Sequence, residues 1–69
     1  MKSIIKLLNM ESEKDVKAIQ SIIAADMGII ASQVLLAKKE IVIIYNDSLF
    51  NKDKFIESIE DLGYVVIQD

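Results

Sequence analysis

Apolar and polar residues follow one another with spacings that change along the chain, and these changes predict where strands and helices lie. Residues 3–8 form a short, isoleucine-rich block that is typical of a strand. After a polar loop, apolar residues recur at the helical spacing of three and four positions, at Val16, Ile19, Ile23 and Met27. This spacing predicts a helix from about residue 13 to residue 27, with Gly28 as the left-handed residue that ends it.

The rest of the chain is predicted to form a hairpin, a second helix and a last strand. Apolar runs at 29–37 and 41–45 are separated by a short polar break, which predicts a hairpin. A second helix is expected to begin after Asn51, a favourable N-cap residue, and to end at Gly63. Phe50 is expected to pack on Phe55 as a hydrophobic staple. The apolar face of this helix is predicted to contain Phe55, Ile56, Ile59 and Leu62. Residues 64–67 should form the last strand.

The order strand, helix, strand, strand, helix, strand divides near Lys39 into two strand–helix–strand halves. Because crossover connections are right-handed almost without exception, few compact arrangements are compatible with this order. We expect an α+β, ferredoxin-like βαββαβ sandwich, in which a four-stranded antiparallel sheet carries two helices on one face. Residues 1–69 should form a single domain.

Composition excludes several classes of function. The chain has 69 residues, of which 52% are hydrophobic, and it contains no Cys and no His. Zinc fingers, thiolate metal sites and imidazole bases are therefore excluded. All eight basic residues are Lys, and the absence of Arg argues against phosphate chemistry. The net charge of −3 disfavours nucleic acids and anionic membranes as partners. From this composition we expect a protein that is not an enzyme. We also expect it to be cytoplasmic, since no apolar run is long enough to span a membrane and no signal-peptide core is evident.

Several motifs resemble the heavy-metal-associated domain of copper chaperones and metal-transporting ATPases. That family opens with a strand ending in Gly-Met-Thr-Cys-x-x-Cys, and the matching run here is Asn-Met-Glu-Ser-Glu-Lys-Asp at 9–15. Gly-Ile at 28–29 is similar to the family's Gly-Val at the end of the first helix. Ile-Glu-Asp-Leu-Gly-Tyr at 59–64 is similar to its Ile-Glu-x-x-Gly-Tyr ending. The resemblance implies the ferredoxin-like fold and covers nearly the whole chain.

The chain departs from this family at the metal loop. Ser12 and Asp15 stand where the two metal-binding cysteines would be, and soft ions such as Cu(I) prefer sulfur to oxygen ligands. Family members bind Cu(I) or other heavy metals, but no such cofactor is expected here. The resemblance implies that Met10 packs beneath the loop and that Tyr64 lies near it. Met10, Ser12, Asp15 and Tyr64 are thus the degenerate metal-loop positions.

The spacing of Ser12 and Asp15 suits another purpose. Ser-x-x-Asp has the three-residue spacing of a capping box, in which each side chain accepts a hydrogen bond from the other residue's amide. Glu11, Glu13 and Asp15 form an acidic cluster, but the residues that follow lack the Gly and Glu required by a calcium loop. These acids are expected to lie near the positive end of the helix dipole.

Family members dock on one another through the metal loop and the first helix. The resemblance therefore implies an interaction surface here, formed by Asn9, Glu11, Glu13, Lys14 and Lys17. We expect a small binding module that has lost soft-metal binding, with a basic protein as its partner. One alternative is a metallochaperone that uses non-thiol ligands. A second is a small-ligand sensor working as a sheet-paired dimer. The strands have few polar residues, so self-association through an apolar sheet face is also open.

Overall fold

The computed structural model describes residues 1–68 and contains the six expected elements. They are β1 (Lys2–Leu7), α1 (Glu13–Ala24), β2 (Ile29–Leu35), β3 (Glu40–Tyr45), α2 (Lys52–Asp61) and β4 (Val66–Gln68). The strands form one sheet in the order β2-β3-β1-β4, and each neighbouring pair is antiparallel. The predicted ferredoxin-like topology is therefore confirmed.

One face of the sheet is covered by both helices. Alternate residues of β1 and β3 point to this face, because successive side chains of a strand lie on opposite sides. They pack against the apolar stripes of α1 and α2 in one hydrophobic cluster. Its members are Ile5, Leu7, Met10, Val16, Ile19, Ile23, Ile41, Ile43, Tyr45, Phe55 and Ile59.

The end of α1 differs from the prediction. The helix ends at Ala24 with Ala25 as its C-cap, so Met27 lies outside the helix and is 94% exposed rather than part of the apolar stripe. Gly28 does not have a positive φ. A Cβ atom at Gly28 would lie 2.8 Å from backbone atoms of Leu49 and Phe50. The chain thus requires glycine here for the close approach of two backbone segments and not for a left-handed helix end.

The predicted start of α2 and the left-handed residue at its end are confirmed, but the predicted apolar face is one residue shorter. The Oδ1 atom of Asn51 accepts a hydrogen bond from the Lys54 amide at 3.0 Å, and the rings of Phe50 and Phe55 lie 5.5 Å apart. Gly63 has a φ of +98°, as a left-handed residue after a helix should. Leu62 is 52% exposed because it caps the helix and does not belong to its buried face.

The strand boundaries shift by one or two residues. β2 ends at Leu35 instead of residue 37, since residues 36–39 form the hairpin turn with Lys39 at a φ of 55°. β4 begins at Val66, because the preceding two residues turn towards the β1–α1 loop.

The helix-free face of the sheet, hereafter the open face, is apolar at its centre. Ile4 and Ile44 are 45% and 43% exposed, and Val42, which pairs with Ile4, is half-buried between them. The expected apolar sheet face is therefore present. Within residues 1–68, none of the helices has the length and apolar character that crossing a membrane requires.

Candidate functional site: the β1–α1 loop and Tyr64

The β1–α1 loop, residues 8–12, is held against the turn between α2 and β4. The side chain of Asn9 bridges the two segments, because its Nδ2 donates to the Gly63 carbonyl at 3.0 Å and its Oδ1 accepts from the Val65 amide at 2.9 Å. The Leu8 amide donates to the Val65 carbonyl, also at 2.9 Å. On the other side, Lys39 Nζ donates to the Leu8 carbonyl at 3.2 Å. The loop is thus tied to two turns at the same end of the sheet.

Ser12 and Asp15 form the predicted capping box. Ser12 has extended backbone angles, and its Oγ accepts a hydrogen bond from the Asp15 amide at 3.4 Å. The Asp15 Oδ2 accepts in return from the Ser12 amide at 3.1 Å and from the Glu11 amide at 2.9 Å. These bonds satisfy backbone donors that would lack partners at the start of a helix. The predicted capping box is therefore present.

Tyr64 approaches the same carboxylate from the end of α2. Its Oη donates to the Asp15 Oδ1 at 2.5 Å, a length typical of a hydrogen bond to a charged acceptor. This bond lowers the pKa of Asp15 below its usual value, and the hydrogen bonds from the Glu11 and Ser12 backbones act in the same direction. The same bond raises the pKa of Tyr64 to about 12, with burial and the negative charge of Asp15 contributing further.

The donor atoms at this site do not suit a soft metal ion. Both oxygens of Asp15 already accept hydrogen bonds, and Ser12 contributes a neutral hydroxyl. Hydroxyl and carboxylate oxygens are hard ligands, whereas Cu(I) selects thiolate and thioether sulfur. Among residues 1–68, no three His, Cys, Asp or Glu side chains are arranged to hold a metal ion.

The remaining predicted site residues divide into buried and exposed ones. Met10 is fully buried and belongs to the hydrophobic core beneath the loop, so its thioether is not on the surface. Glu11, Glu13, Lys14 and Lys17 are all exposed. They lie on the loop and the first turns of α1, where Glu13 and Asp15 place negative charge near the positive end of the helix.

Two contacts at this site were not foreseen from the residues themselves. Asn9 was expected only as a surface residue, yet it connects segments 56 positions apart. Lys39 was expected only in a hairpin turn, yet its side chain reaches the β1–α1 loop. Neither contact leaves a local signal, because both depend on how the two halves of the chain pack.

Known structures show what this architecture is similar to. The CopZ metallochaperone superposes with a TM-score of 0.89 at 24% identity, covering 97% of this chain and 100% of that one. Oxidised MerP from Ralstonia metallidurans CH34 superposes with a TM-score of 0.84 at 17% identity, covering 99% and 97%. A copper-binding domain from HMA7, a P-type ATPase, gives 0.82 at 16%, covering 96% and 92%.

These similarities establish that the chain has the fold of copper chaperones and heavy-metal-associated domains, as the motifs predicted. Of these three neighbours, CopZ is a metallochaperone and the HMA7 segment is a copper-binding domain of a P-type ATPase. No protein-family model matches the sequence, and no curated protein matches it either. The chain combines this fold with a loop that has no cysteine.

Proposed function

We propose that this protein is a cytoplasmic, non-enzymatic docking module that uses the metallochaperone fold without transferring a soft metal. The observation that carries this proposal is the hydrogen bonding of the Asp15 carboxylate. Its carboxylate, at the position of the second metal-binding cysteine, accepts hydrogen bonds from the Glu11 and Ser12 amides and from Tyr64. A soft ion would have to displace these bonds and would gain only oxygen ligands in return.

The hydrogen bonds at this site also hold the loop in one conformation. Asn9 fixes one end of the loop to the α2–β4 turn, and the capping box fixes the other end to α1. A surface held in one conformation loses little conformational entropy when a partner binds. The loop therefore retains the preorganisation that a docking surface needs, although no metal is required to hold it.

Charge on this surface supports a basic partner. Glu11, Glu13 and Asp15 place three negative charges on the loop and the first turn of α1, against two positive charges nearby, and the whole chain carries a net charge of −3. Lys14 and Lys17, both exposed, interrupt the negative charge and supply positions for specific ion pairs. Attraction between an acidic surface and a basic partner raises the association rate and weakens as salt is added.

A metal titration tests the first half of the proposal. The protein is titrated with Cu(I), Zn²⁺ and Ca²⁺ while amide resonances are followed by NMR. We expect no saturable, submicromolar binding at Ser12 or Asp15. Saturable shifts centred on these two residues would instead establish a metallochaperone with non-thiol ligands and would overturn the proposal.

Site-specific photo-cross-linking tests the second half. A photoreactive amino acid replaces Lys17 on the proposed surface or, as a control, Ser48 in the turn at the opposite end of the sheet; both residues are exposed. In the native host we expect a discrete protein adduct from position 17 but not from position 48. Binding of the purified partner should weaken between about 0.05 and 0.5 M salt. Equal adducts at both positions, or affinity independent of salt, would contradict the docking surface.

A further inference from the structure

Strand β2 lies at one edge of the sheet and pairs on one side only, with β3. Its seven residues, Ile-Ile-Ala-Ser-Gln-Val-Leu, include no charged residue, no Pro and no Gly. Edge strands of monomeric proteins are commonly protected by Lys, Pro or a covering segment, because their free backbone groups can pair with another strand. β2 has one bulge at its start, between Ile29 and Ala31. Its remaining residues include no Lys and no Pro.

The register of the sheet shows which backbone groups of β2 point outwards. The Tyr45 amide donates to the Met1 carbonyl at 2.9 Å, so the odd-numbered residues of β3 direct their backbone groups to β1. The even-numbered residues then face β2, where Val42 pairs with Gln33. By the same alternation, the backbone N–H and C=O groups of Ser32 and Val34 point away from β3.

We propose that two copies of this protein associate by antiparallel pairing of β2 with β2, around a two-fold axis at Ser32, into one continuous sheet. In this register the outward-pointing N–H and C=O groups of Ser32 meet those of Ser32 in the other copy, and Val34 of each copy lies opposite Ile30, within the bulge at the start of β2. Ala31 of one copy then lies directly opposite Gln33 of the other, on the open face. Because β2 carries no charge, no like charges meet across the axis.

Charges beyond the ends of β2 favour a second copy over an unrelated strand. Asp26 lies just before β2, where its Oδ1 accepts from the Gly28 amide, and Asp47 lies in the adjacent turn. Lys38, which is exposed, lies just after the other end. Antiparallel pairing brings the acidic end of each copy towards the Lys38 end of the other, twice. Parallel pairing would place like charges together.

The association should be weak. Strands of seven residues are about 23 Å long, and pairing them along one edge buries less than the roughly 1,600 Å² of a standard interface. We therefore expect a dimer that forms at high micromolar concentration and dissociates on dilution. Its formation should slow hydrogen exchange at the amides of Ser32 and Val34.

Two double variants test the register. Ala31→Lys with Gln33→Lys places like charges opposite one another across the axis, whereas Ala31→Lys with Gln33→Glu places opposite charges there. Both substituted positions, 31 and 33, are exposed, and the two variants differ only at position 33, so the effect of Ala31→Lys on folding is common to both. Sedimentation equilibrium should give a dissociation constant at least tenfold higher for the first variant than for the second.

Ile4→Lys distinguishes edge pairing from packing of the two open faces. Ile4 lies on the central strand β1 and is 45% exposed, so this substitution should leave an edge-paired dimer unchanged. A dimer abolished by Ile4→Lys but insensitive to the charges at position 33 would replace the proposal with face-to-face packing. A parent protein that remains monomeric at about 1 mM would overturn it outright.

Discussion

Gly28→Ala is a substitution for which the backbone conformation of Gly28 and its surroundings predict opposite effects. Gly28 has an ordinary negative φ, so alanine is compatible with its backbone. In an open environment, replacing glycine by alanine at such a position stabilises a protein by about 0.4–1 kcal/mol, because the unfolded chain loses freedom. The backbone angle alone would therefore predict a small gain in stability.

The surroundings of Gly28 reverse this expectation. The added Cβ would lie 2.8 Å from the carbonyl carbon of Leu49 and from two backbone atoms of Phe50, whereas ordinary contacts begin at 3.4 Å. These are backbone atoms, which cannot rotate away, so the segment that leads into α2 must move. Phe50 also packs on Tyr45 and Phe55, with ring centroids 4.5 and 5.5 Å apart. Overpacking of this kind costs about 1–3 kcal/mol.

Net destabilisation by Gly28→Ala should therefore be about 1–2 kcal/mol once the gain from the unfolded chain is subtracted. For a domain of this size, that lowers the melting temperature by roughly 5–15 °C. Urea unfolding at constant m-value measures the free energy, and near-ultraviolet circular dichroism reports the aromatic contacts of Phe50. A variant as stable as the parent protein, with unchanged aromatic signals, would refute the argument from close approach.

Gly63→Ala is the matched control. Gly63 has a φ of +98°, and no atom lies within 4 Å of the position that a Cβ would occupy. Alanine there introduces backbone strain of roughly 1–3 kcal/mol without any steric contact. Both variants are thus expected to lose stability, but only Gly28→Ala should change the aromatic signals of the core.

Four further predictions concern the helix caps and the loop. Ser12→Ala should cost less stability than Asn51→Ala, because the capping bond of Ser12 is 3.4 Å long and that of Asn51 is 3.0 Å; removal of a cap costs about 0.5–2 kcal/mol, and urea unfolding would contradict the reasoning if the order were reversed. Tyr64→Phe should raise the pKa of Asp15 in an NMR titration. The lowered pKa stabilises the folded state above the ordinary carboxyl range, and this contribution disappears as the pH falls through the folded-state value, so the variant should lose less stability on acidification. Asp15→Asn should lower the pKa of Tyr64 from about 12 towards its ordinary value in an absorbance titration, and an unchanged value would exclude Asp15 as the cause. Ser12→Cys with Asp15→Cys should introduce tight Cu(I) binding, since two thiolates then share the loop; each single variant is the control, and failure of the double variant would show that two thiolates at these positions are not sufficient.

The features that were predicted correctly depend on residues close together in sequence. The spacing of Val16, Ile19 and Ile23 specifies a helical face, and the capping box spans only the three positions from Ser12 to Asp15. Both follow from the geometry of one turn of helix, whatever the rest of the chain does. The order of these elements then left few topologies to consider.

The failures depend on contacts between distant segments. Met27 continues the helical spacing, but the helix ends at Ala24, and the chain then passes close to the backbone of residues 49–50 at Gly28. The bond between Asp15 and Tyr64 joins residues 49 positions apart, and only the resemblance to heavy-metal-associated domains placed Tyr64 near the loop. No periodicity within a single element contains this information, since it arises when α2 and β4 pack against β1.

Capping the start of a helix and binding an ion place the same requirement on a loop of this kind. Both require two side chains three positions apart at a helix N-terminus, because this spacing directs them to the same point. In this chain, Asp15 satisfies the amides at that point and also binds Tyr64 from the opposite half of the molecule. The bond to Tyr64 depends on a carboxylate acceptor, so replacing Asp15 by cysteine removes the contact that joins α1 to the α2–β4 turn. Cu(I) binding by the double variant should therefore be accompanied by a return of the pKa of Tyr64 towards its ordinary value, and the two changes together would demonstrate that the same two positions can serve either a metal or the fold.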